Sequence, residues 1–160
     1  MKVYLAGIIP GGKELEQAKE WRTKVIQHYS NWKGSGSNYG TLSFLNPLNG
    51  EIETISEDGM TSCVPPKAIL TKDYNAIKKC DLFVVNMNTF GVTRPPLGTI
   101  LEIGMAWEAR KVIMMITQDE LYKKHPFVSN MVDWYFDSVE DMLEKKAINI
   151  LYKSFNSAPY

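Results

Sequence analysis

DLFVVNMN, residues 81 to 88, is the stretch of the sequence that decides the fold. Its residues Leu82 to Val85 form a continuous apolar run, and Asn86 and Asn88 follow directly. A half-exposed strand alternates apolar and polar side chains, whereas a strand of a parallel sheet is covered on both faces and is apolar throughout. The run therefore predicts a central strand of a parallel sheet that has helices on both faces.

Strand and helix patterns alternate on both sides of this strand. Four further strands are predicted in KVYLAG (2–7), TLSFLNP (41–47), KVIMMIT (111–117) and MVDWYF (131–136). Helices are predicted over residues 11–29, 68–80, 98–106 and 138–155, the last with Ser138 and Asp141 as its capping pair. We therefore expect one α/β domain over residues 1–160, a flavodoxin- or Rossmann-like three-layer sandwich around a five-stranded, mainly parallel sheet.

The composition limits the classes of partner. Eighteen basic side chains balance eighteen acidic ones, so no net charge attracts the chain to nucleic acid or to an anionic membrane. The apolar run at the N-terminus is too short for a membrane span, and we expect a cytoplasmic protein. Cys63, Cys80, His28 and His125 form no ligand pattern, so no metal site is expected.

Ligands of parallel α/β sheets bind beyond the carboxyl ends of the strands, near the point where the strand order reverses. Three loops meet at this edge of the predicted sheet, namely residues 7–12, 86–96 and 118–130. The first loop has neither the G-x-G-x-x-G spacing of a dinucleotide site nor the lysine and hydroxyl of a P-loop. Its glycines are compatible with a tight turn or with close approach of a ligand to the backbone.

GTILEIGMA, residues 98 to 106, begins at this edge and carries one carboxylate, Glu102. Thr99 and Glu102 match the S/T-x-x-E capping box, in which both side chains bond amides at the start of a helix. A carboxylate beside a strand-end crevice is also a candidate catalytic group, which the helix dipole keeps ionised while burial raises its pKa. The residue pattern favours the cap and the position favours catalysis.

Other polar residues near this edge have two interpretations each. Asp73 is a helix-dipole partner or a ligand-binding group, and Asn86 and Asn88 end a strand or orient a polar ligand. Arg94 is a solvated loop residue or a phosphate ligand. Residues 48–66 form a long loop that is either a solvated excursion or a functional segment.

Three segments carry a resemblance to a known family: KVYLAG (2–7), DYNAIKKCDLFVVN (73–86) and GTILEIGMAWEARK (98–111). With them the chain resembles the nucleoside 2-deoxyribosyltransferase family, including related nucleotide N-glycosidases. The resemblance covers roughly residues 2–137, although residues 30–66 match poorly. Its most specific part is the G-T-x-x-E-x-G-x-A element that begins at Gly98.

The resemblance implies an enzyme that cleaves the N-glycosidic bond of a (2′-deoxy)nucleoside and transfers the deoxyribosyl group to another base. Glu102 matches the nucleophile of the family, which forms a covalent glycosyl-enzyme. Tyr4 matches the tyrosine that orients this nucleophile, and Asp73 matches the aspartate that helps to hold the base. Chemistry of this kind implies no metal and no cofactor.

The resemblance also assigns binding positions. Gly7 would allow a ligand to approach the first turn, and Gly98 and Thr99 would shape the loop before the nucleophile. Branches of the family that hydrolyse nucleoside 5′-monophosphates hold the phosphate with polar or basic loop residues, for which Arg94 is the candidate beside Thr93. Asn130 is the candidate for an asparagine that a neighbouring subunit donates in some members, which implies a homo-oligomer with shared active sites.

Two positions depart from the pattern of the family. Many members carry an aspartate two residues before the G-T step, where it contacts the base or assists its protonation, whereas this chain has Pro96. Members often read A-G-P after the first strand, whereas this chain reads Ala6-Gly7-Ile8. Three functions therefore stay open: deoxyribosyl transfer, hydrolysis of a nucleoside 5′-monophosphate, and nucleotide binding without catalysis.

Overall fold

The computed structural model describes residues 1–11, 14–30, 42–49 and 64–156, so most of the loop 48–66 lies outside the described residues. The strands in this part of the chain are β1 (Lys2–Gly7), β2 (Ser43–Leu45), β3 (Leu82–Asn86), β4 (Val112–Ile116) and β5 (Trp134–Phe136). The helices are α1 (Glu14–Ser30), α2 (Pro66–Lys79), α3 (Leu97–Glu108), α4 (Glu120–Lys124), α5 (Pro126–Met131), α6 (Val139–Glu144) and α7 (Ala147–Asn156). None of these described helices is long and apolar enough to cross a membrane.

The five strands form one sheet in the order β2-β1-β3-β4-β5, and every pair is parallel. In the register, Tyr4 of β1 stands beside Leu45 on one side and Phe83 on the other. The strand order reverses between β1 and β3, so the crevice expected for a ligand opens at their carboxyl ends. The predicted α/β fold is confirmed.

Side chains alternate between two covered faces of the sheet. One face, called the α1 face below, packs against α1, α6 and α7, and the other, called the α3 face, packs against α2, α3 and α5. Leu82 and Val84 of β3 point to the α1 face, whereas Phe83 and Val85 point to the α3 face. All four are fully buried, which is the physical reason for the continuous apolar run of β3.

Two local predictions need correction. The single helix predicted over residues 138–155 is two helices, α6 and α7, because the chain turns at Lys146 with a φ of +52°. The predicted cap of α6 is present, since the backbone N–H of Asp141 donates to Ser138 Oγ over 3.0 Å. The segment 118–130, treated as a loop, contains α4 and α5, which Asp119 and His125 cap.

Candidate active site

Glu102 lies in the second turn of α3 and does not form the capping box. Helix α3 begins at Leu97 with Pro96 as the N-cap residue, and among the described residues no side chain caps its first amides. Thr99 therefore lies inside the helix, where it is buried, rather than at the cap position. The Glu102 carboxylate is consequently available to a residue outside its own helix.

The partner of Glu102 is Tyr4. The Tyr4 hydroxyl donates a hydrogen bond to Glu102 Oε1 over 2.7 Å, between residues that are 98 positions apart in the sequence. Tyr4 is 1% exposed, and its ring stacks on Phe83 with ring centroids 5.5 Å apart. The strand direction and this stacking hold the hydroxyl on the α3 face, directed at the carboxylate.

The surroundings of this pair set its protonation. Burial raises the pKa of Glu102 to about 7, which the hydrogen bond from Tyr4 partly offsets. Burial, followed by the charge of Glu102, raises the pKa of Tyr4 far above its usual range, so Tyr4 stays protonated and remains a donor. A carboxylate with a pKa near neutrality can act in either protonation state at physiological pH.

Asp73 is the second carboxylate near the pair. It lies on α2, its side chain is 16% exposed, and its Oδ1 is 3.6 Å from Lys72 Nζ. Its charge raises the pKa of both Tyr4 and Glu102, as expected for a carboxylate close to both groups. The structure thus brings Asp73, Tyr4 and Glu102 together from three elements.

Gly7 ends β1 and pairs with Asn86 of β3. Its φ is +154°, and a Cβ at this position would lie 2.8 Å from the backbone oxygen of Asn86. A side chain there would be strained and would collide with β3, so the close approach that requires glycine is to the neighbouring strand. Gly98 differs, since a Cβ added to it would meet no atom within 4 Å.

Arg94 connects two loops at the carboxyl edge. Its Nη2 donates to the backbone oxygen of Ile9 over 2.9 Å, which ties the loop after β3 to the loop after β1. The side chain is half-buried, and Thr93 beside it is exposed. Arg94 therefore borders the same crevice as the carboxyl end of β1.

The three candidate asparagines lie apart from the Tyr4–Glu102 pair. Asn86 Oδ1 accepts from the backbone N–H of Asn88 over 3.0 Å, and Asn88 Oδ1 accepts from that of Phe90 over 2.8 Å. Asn86 and Asn88 line a cavity of about 650 Å³ between α1, α6 and the strand ends, on the α1 face. Asn130 is exposed on α5, where its Nδ2 donates to the backbone oxygen of Pro126 over 2.6 Å.

Potential metal ligands do not cluster in the described part of the chain. Among the described residues, no three His, Cys, Asp or Glu side chains lie close enough together to hold a metal ion. Cys80 is buried, its Sγ donates to the backbone oxygen of Ile77 over 3.1 Å, and burial raises the pKa of its thiol to about 11. Cys80 is therefore a core thiol of low reactivity.

Sequence reasoning missed one charged residue, Arg22. It follows Ala18 by four positions and precedes Val25 by three, so it lies on the buried stripe of α1, and this spacing was the signal that could have revealed it. Arg22 is fully buried, and its guanidinium donates to the backbone oxygens of Leu5 (3.1 Å), Gly7 (3.0 Å) and Ala18 (2.7 Å). Its Cζ also lies 4.6 Å from the centre of the Trp21 ring.

Similar structures share this arrangement of strands and helices. The CMP N-glycosidase BcmB from Clostridium botulinum is 26% identical, over 92% of this chain and 99% of that one, with a TM-score of 0.56. A 2-deoxyribosyltransferase from Bacillus psychrosaccharolyticus is 16% identical, over 89% of this chain and 90% of that one, with a TM-score of 0.60. A 2-deoxyribosyltransferase from Leishmania mexicana is 18% identical, over 95% and 97% of the two chains, with a TM-score of 0.61.

The last two structures show a common fold alone, and among curated proteins no sequence matches this chain significantly. The family model described as nucleoside 2-deoxyribosyltransferase, in contrast, matches residues 3–149. That match includes Tyr4, Asp73 and Glu102 and most of the described sheet. This chain therefore belongs to the nucleoside 2-deoxyribosyltransferase family, a family of transferases and N-glycosidases, and is an enzyme of that kind.

Proposed function

We propose that this enzyme cleaves the N-glycosidic bond of a (2′-deoxy)nucleoside and transfers the deoxyribosyl group to another base through a covalent glycosyl-Glu102 intermediate. The observation that carries this proposal is the 2.7 Å hydrogen bond from the Tyr4 hydroxyl to Glu102 Oε1. A carboxylate held by one oxygen keeps its other oxygen for attack on the sugar.

The reaction runs in two displacements. Glu102 Oε2 forms a bond to C1′ while the C1′–N bond breaks, and the electron pair of that bond leaves with the base, which takes up a proton. A nitrogen of the second base then attacks C1′ while the bond from C1′ to the Glu102 oxygen breaks and frees the carboxylate. The second base loses a proton, which balances the one that the first base took up, and two displacements retain the configuration at C1′, as in retaining glycoside hydrolysis.

Tyr4 and Asp73 have separate roles in this scheme. Tyr4 stays protonated and fixes the orientation of the nucleophile, because burial keeps its pKa far above neutrality. Among the described residues, Asp73 is the other carboxylate close enough to change the pKa of Glu102. Many members of the family have an aspartate where this chain has Pro96. We therefore propose that Asp73 is the carboxylate that contacts the base.

Hydrolysis of a nucleoside 5′-monophosphate is the second candidate function. The 26% identity with the CMP N-glycosidase over nearly all of both chains supports it. In this scheme water replaces the second base, and Arg94 at the crevice would bind the phosphate.

For either function, we propose that Asn130, exposed on α5, completes the site of a neighbouring subunit in a homo-oligomer.

A product analysis separates the two functions. Purified protein is incubated with a panel of nucleosides and 5′-monophosphates, with and without an acceptor base, and the products are resolved by chromatography. Base exchange that requires an acceptor supports the transferase, and release of base in water alone supports the hydrolase. Saturable binding without turnover of any panel member contradicts both and leaves a nucleotide-binding protein.

The pH dependence follows from the pKa of Glu102. Burial raises that pKa to about 7, and only the ionised form attacks C1′. We therefore expect kcat/KM to fall about tenfold per pH unit below an acid limb near pH 7, and to level off above it. Initial rates of base release from pH 5 to pH 9 test this, and an acid limb at pH 5 or below contradicts it.

Replacing Tyr4 with Phe moves this acid limb to higher pH. The Tyr4 hydroxyl stabilises the ionised form of Glu102, so its loss raises the carboxyl pKa by about one to two units. The same pH profile measures the shift. Tyr135→Phe is the matched control, because the Tyr135 hydroxyl lies on the same face and has no hydrogen-bond partner among the described residues. An unchanged limb in Tyr4→Phe contradicts the role of Tyr4.

A further inference from the structure

Arg22 is a fully buried cation on α1. It is 0% exposed, and none of the ion pairs among the described residues includes it. A buried ion without an opposite charge in contact is costly, and apolar residues of similar volume commonly replace buried charges without loss of stability. What the guanidinium provides here, and an apolar side chain could not, is a fixed positive charge and hydrogen bonds to backbone oxygens.

The contacts of Arg22 lead to the carboxyl end of β1. From α1, the guanidinium reaches the backbone oxygens of Leu5 and Gly7, over 3.1 Å and 3.0 Å. Leu5 directly follows Tyr4, and Gly7 is the last residue of β1. Two of the three hydrogen bonds of Arg22 thus hold the backbone that carries the tyrosine partner of Glu102.

The groups that act on the pKa of Glu102 lie on three elements, of which α1 packs on the opposite face of the sheet. Tyr4 lies on β1, Asp73 and Lys72 lie on α2, and Arg22 lies on α1. The Lys72 side chain is 42% exposed and pairs with Asp73, so solvent and that carboxylate weaken its effect on Glu102. Arg22 is the fully buried cation of the group, and a charge in a low-dielectric interior acts over longer distances.

Resting on the proposed function, we propose that Arg22 is a positioning residue that holds the carboxyl end of β1 and supplies a fixed positive charge that favours the ionised form of Glu102. Its own ionisation permits this role. Burial lowers the pKa of Arg22 to about 10, which the negative charge of Glu102 opposes, so Arg22 stays charged across the range in which Glu102 titrates.

Three variants separate the charge from the hydrogen bonds. Arg22→Lys keeps the charge and loses part of the hydrogen bonding, Arg22→Gln keeps amide donors without the charge, and Arg22→Met loses both. Exposed Arg110 provides the matched control, Arg110→Met. Each is compared with the unaltered chain by kcat/KM for base release from pH 5 to pH 9 and by thermal unfolding.

We expect Arg22→Gln and Arg22→Met to move the acid limb upward by about one unit and to recover most of their activity above it, because Glu102 loses the cation that favours its ionised form. Arg22→Lys is expected to keep the limb of the unaltered chain despite a lower Tm. A purely structural role lowers stability and activity at every pH without moving the limb, and this result in a folded neutral variant overturns the proposal.

A second readout does not depend on turnover. The Glu102 carboxyl carbon is titrated by NMR in glutamate-labelled protein, with the signal assigned by its absence in Glu102→Gln. An upward shift of its titration midpoint in Arg22→Gln supports the proposal even if no substrate is found, and an unchanged midpoint overturns it. If both neutral variants fail to fold, the reciprocal titration decides: the pKa of the ammonium introduced by Arg22→Lys is measured by NMR with and without Glu102→Gln, a lower value in the double variant supports the coupling of the two charges, and an equal value overturns it.

Discussion

Glu102→Gln is expected to lower the rate of base release by about 10⁴-fold or more, the scale of loss seen when a nucleophile is removed. An amide oxygen is too weak a nucleophile to attack C1′, so no glycosyl-enzyme forms. The shape of the site is kept, since the Tyr4 hydroxyl can still donate to the amide oxygen at the position of Oε1. Initial rates on the substrate found in the panel measure the loss.

The same variant is expected to be more stable than the unaltered chain at pH 8. The folded-state pKa of Glu102 is raised, so its ionised form opposes folding, and this penalty grows as the pH rises from about 4.5 to about 7. The neutral amide removes the penalty. The difference in Tm should therefore be present at pH 8 and absent near pH 4, which thermal unfolding at the two pH values checks.

Glu108→Gln is the matched control for both measurements. Glu108 lies on the same helix and is exposed, so its neutralisation should change neither the rate of base release nor the Tm appreciably. Full activity in Glu102→Gln, or an equal loss in Glu108→Gln, contradicts the assignment of Glu102 as nucleophile.

Gly7→Ala is expected to lower the free energy of unfolding by about 2 to 4 kcal/mol. The added Cβ would lie 2.8 Å from the backbone oxygen of Asn86, at a φ of +154° that L-residues rarely adopt. Both strand ends are held in register by the sheet, and Arg22 holds the Gly7 carbonyl, so neither backbone can move without loss of hydrogen bonds. Urea unfolding measures the change.

Gly104→Ala is the matched control for this prediction. Gly104 lies inside α3, and a Cβ added there would meet no atom within 4 Å. Alanine in a helix interior is favoured over glycine by about 1 kcal/mol, so this variant should be slightly more stable than the unaltered chain. A Gly7→Ala chain as stable as Gly104→Ala contradicts the steric account of the β1 end.

The sheet was predictable from the sequence because burial on both faces leaves a local signal. The run Leu82–Val85 has no polar interruption, and the parallel arrangement follows from the alternation of strands and helices. The break between α6 and α7 was not predictable, because Lys146 adopts its positive φ without glycine and the apolar spacing continues through it. The helices α4 and α5 are too short for a periodic pattern to develop.

The candidate site was only partly predictable from local pattern. Thr99 and Glu102 match a capping box in the sequence, and only the three-dimensional start of α3 at Leu97 removes that interpretation. The bond from Tyr4 to Glu102 joins residues 98 positions apart, and no local spacing encodes such a pair. The pairing of Tyr4 with Glu102 was predicted from the family resemblance instead. Arg22 was missed because arginine side chains are mostly exposed, although its spacing from Ala18 and Val25 places it on the buried stripe of α1.

Capture of the glycosyl-enzyme tests the central claim most directly. The enzyme is incubated without acceptor base with a substrate from the panel whose sugar carries fluorine at C2′, which slows both displacements, and is then quenched in acid and digested. Mass spectrometry of the peptides is predicted to find one added glycosyl group on Glu102, absent from Glu102→Gln and lost when an acceptor base or water completes turnover. Steady release of base with Glu102 unmodified, or with the sugar attached to another residue, would contradict the account.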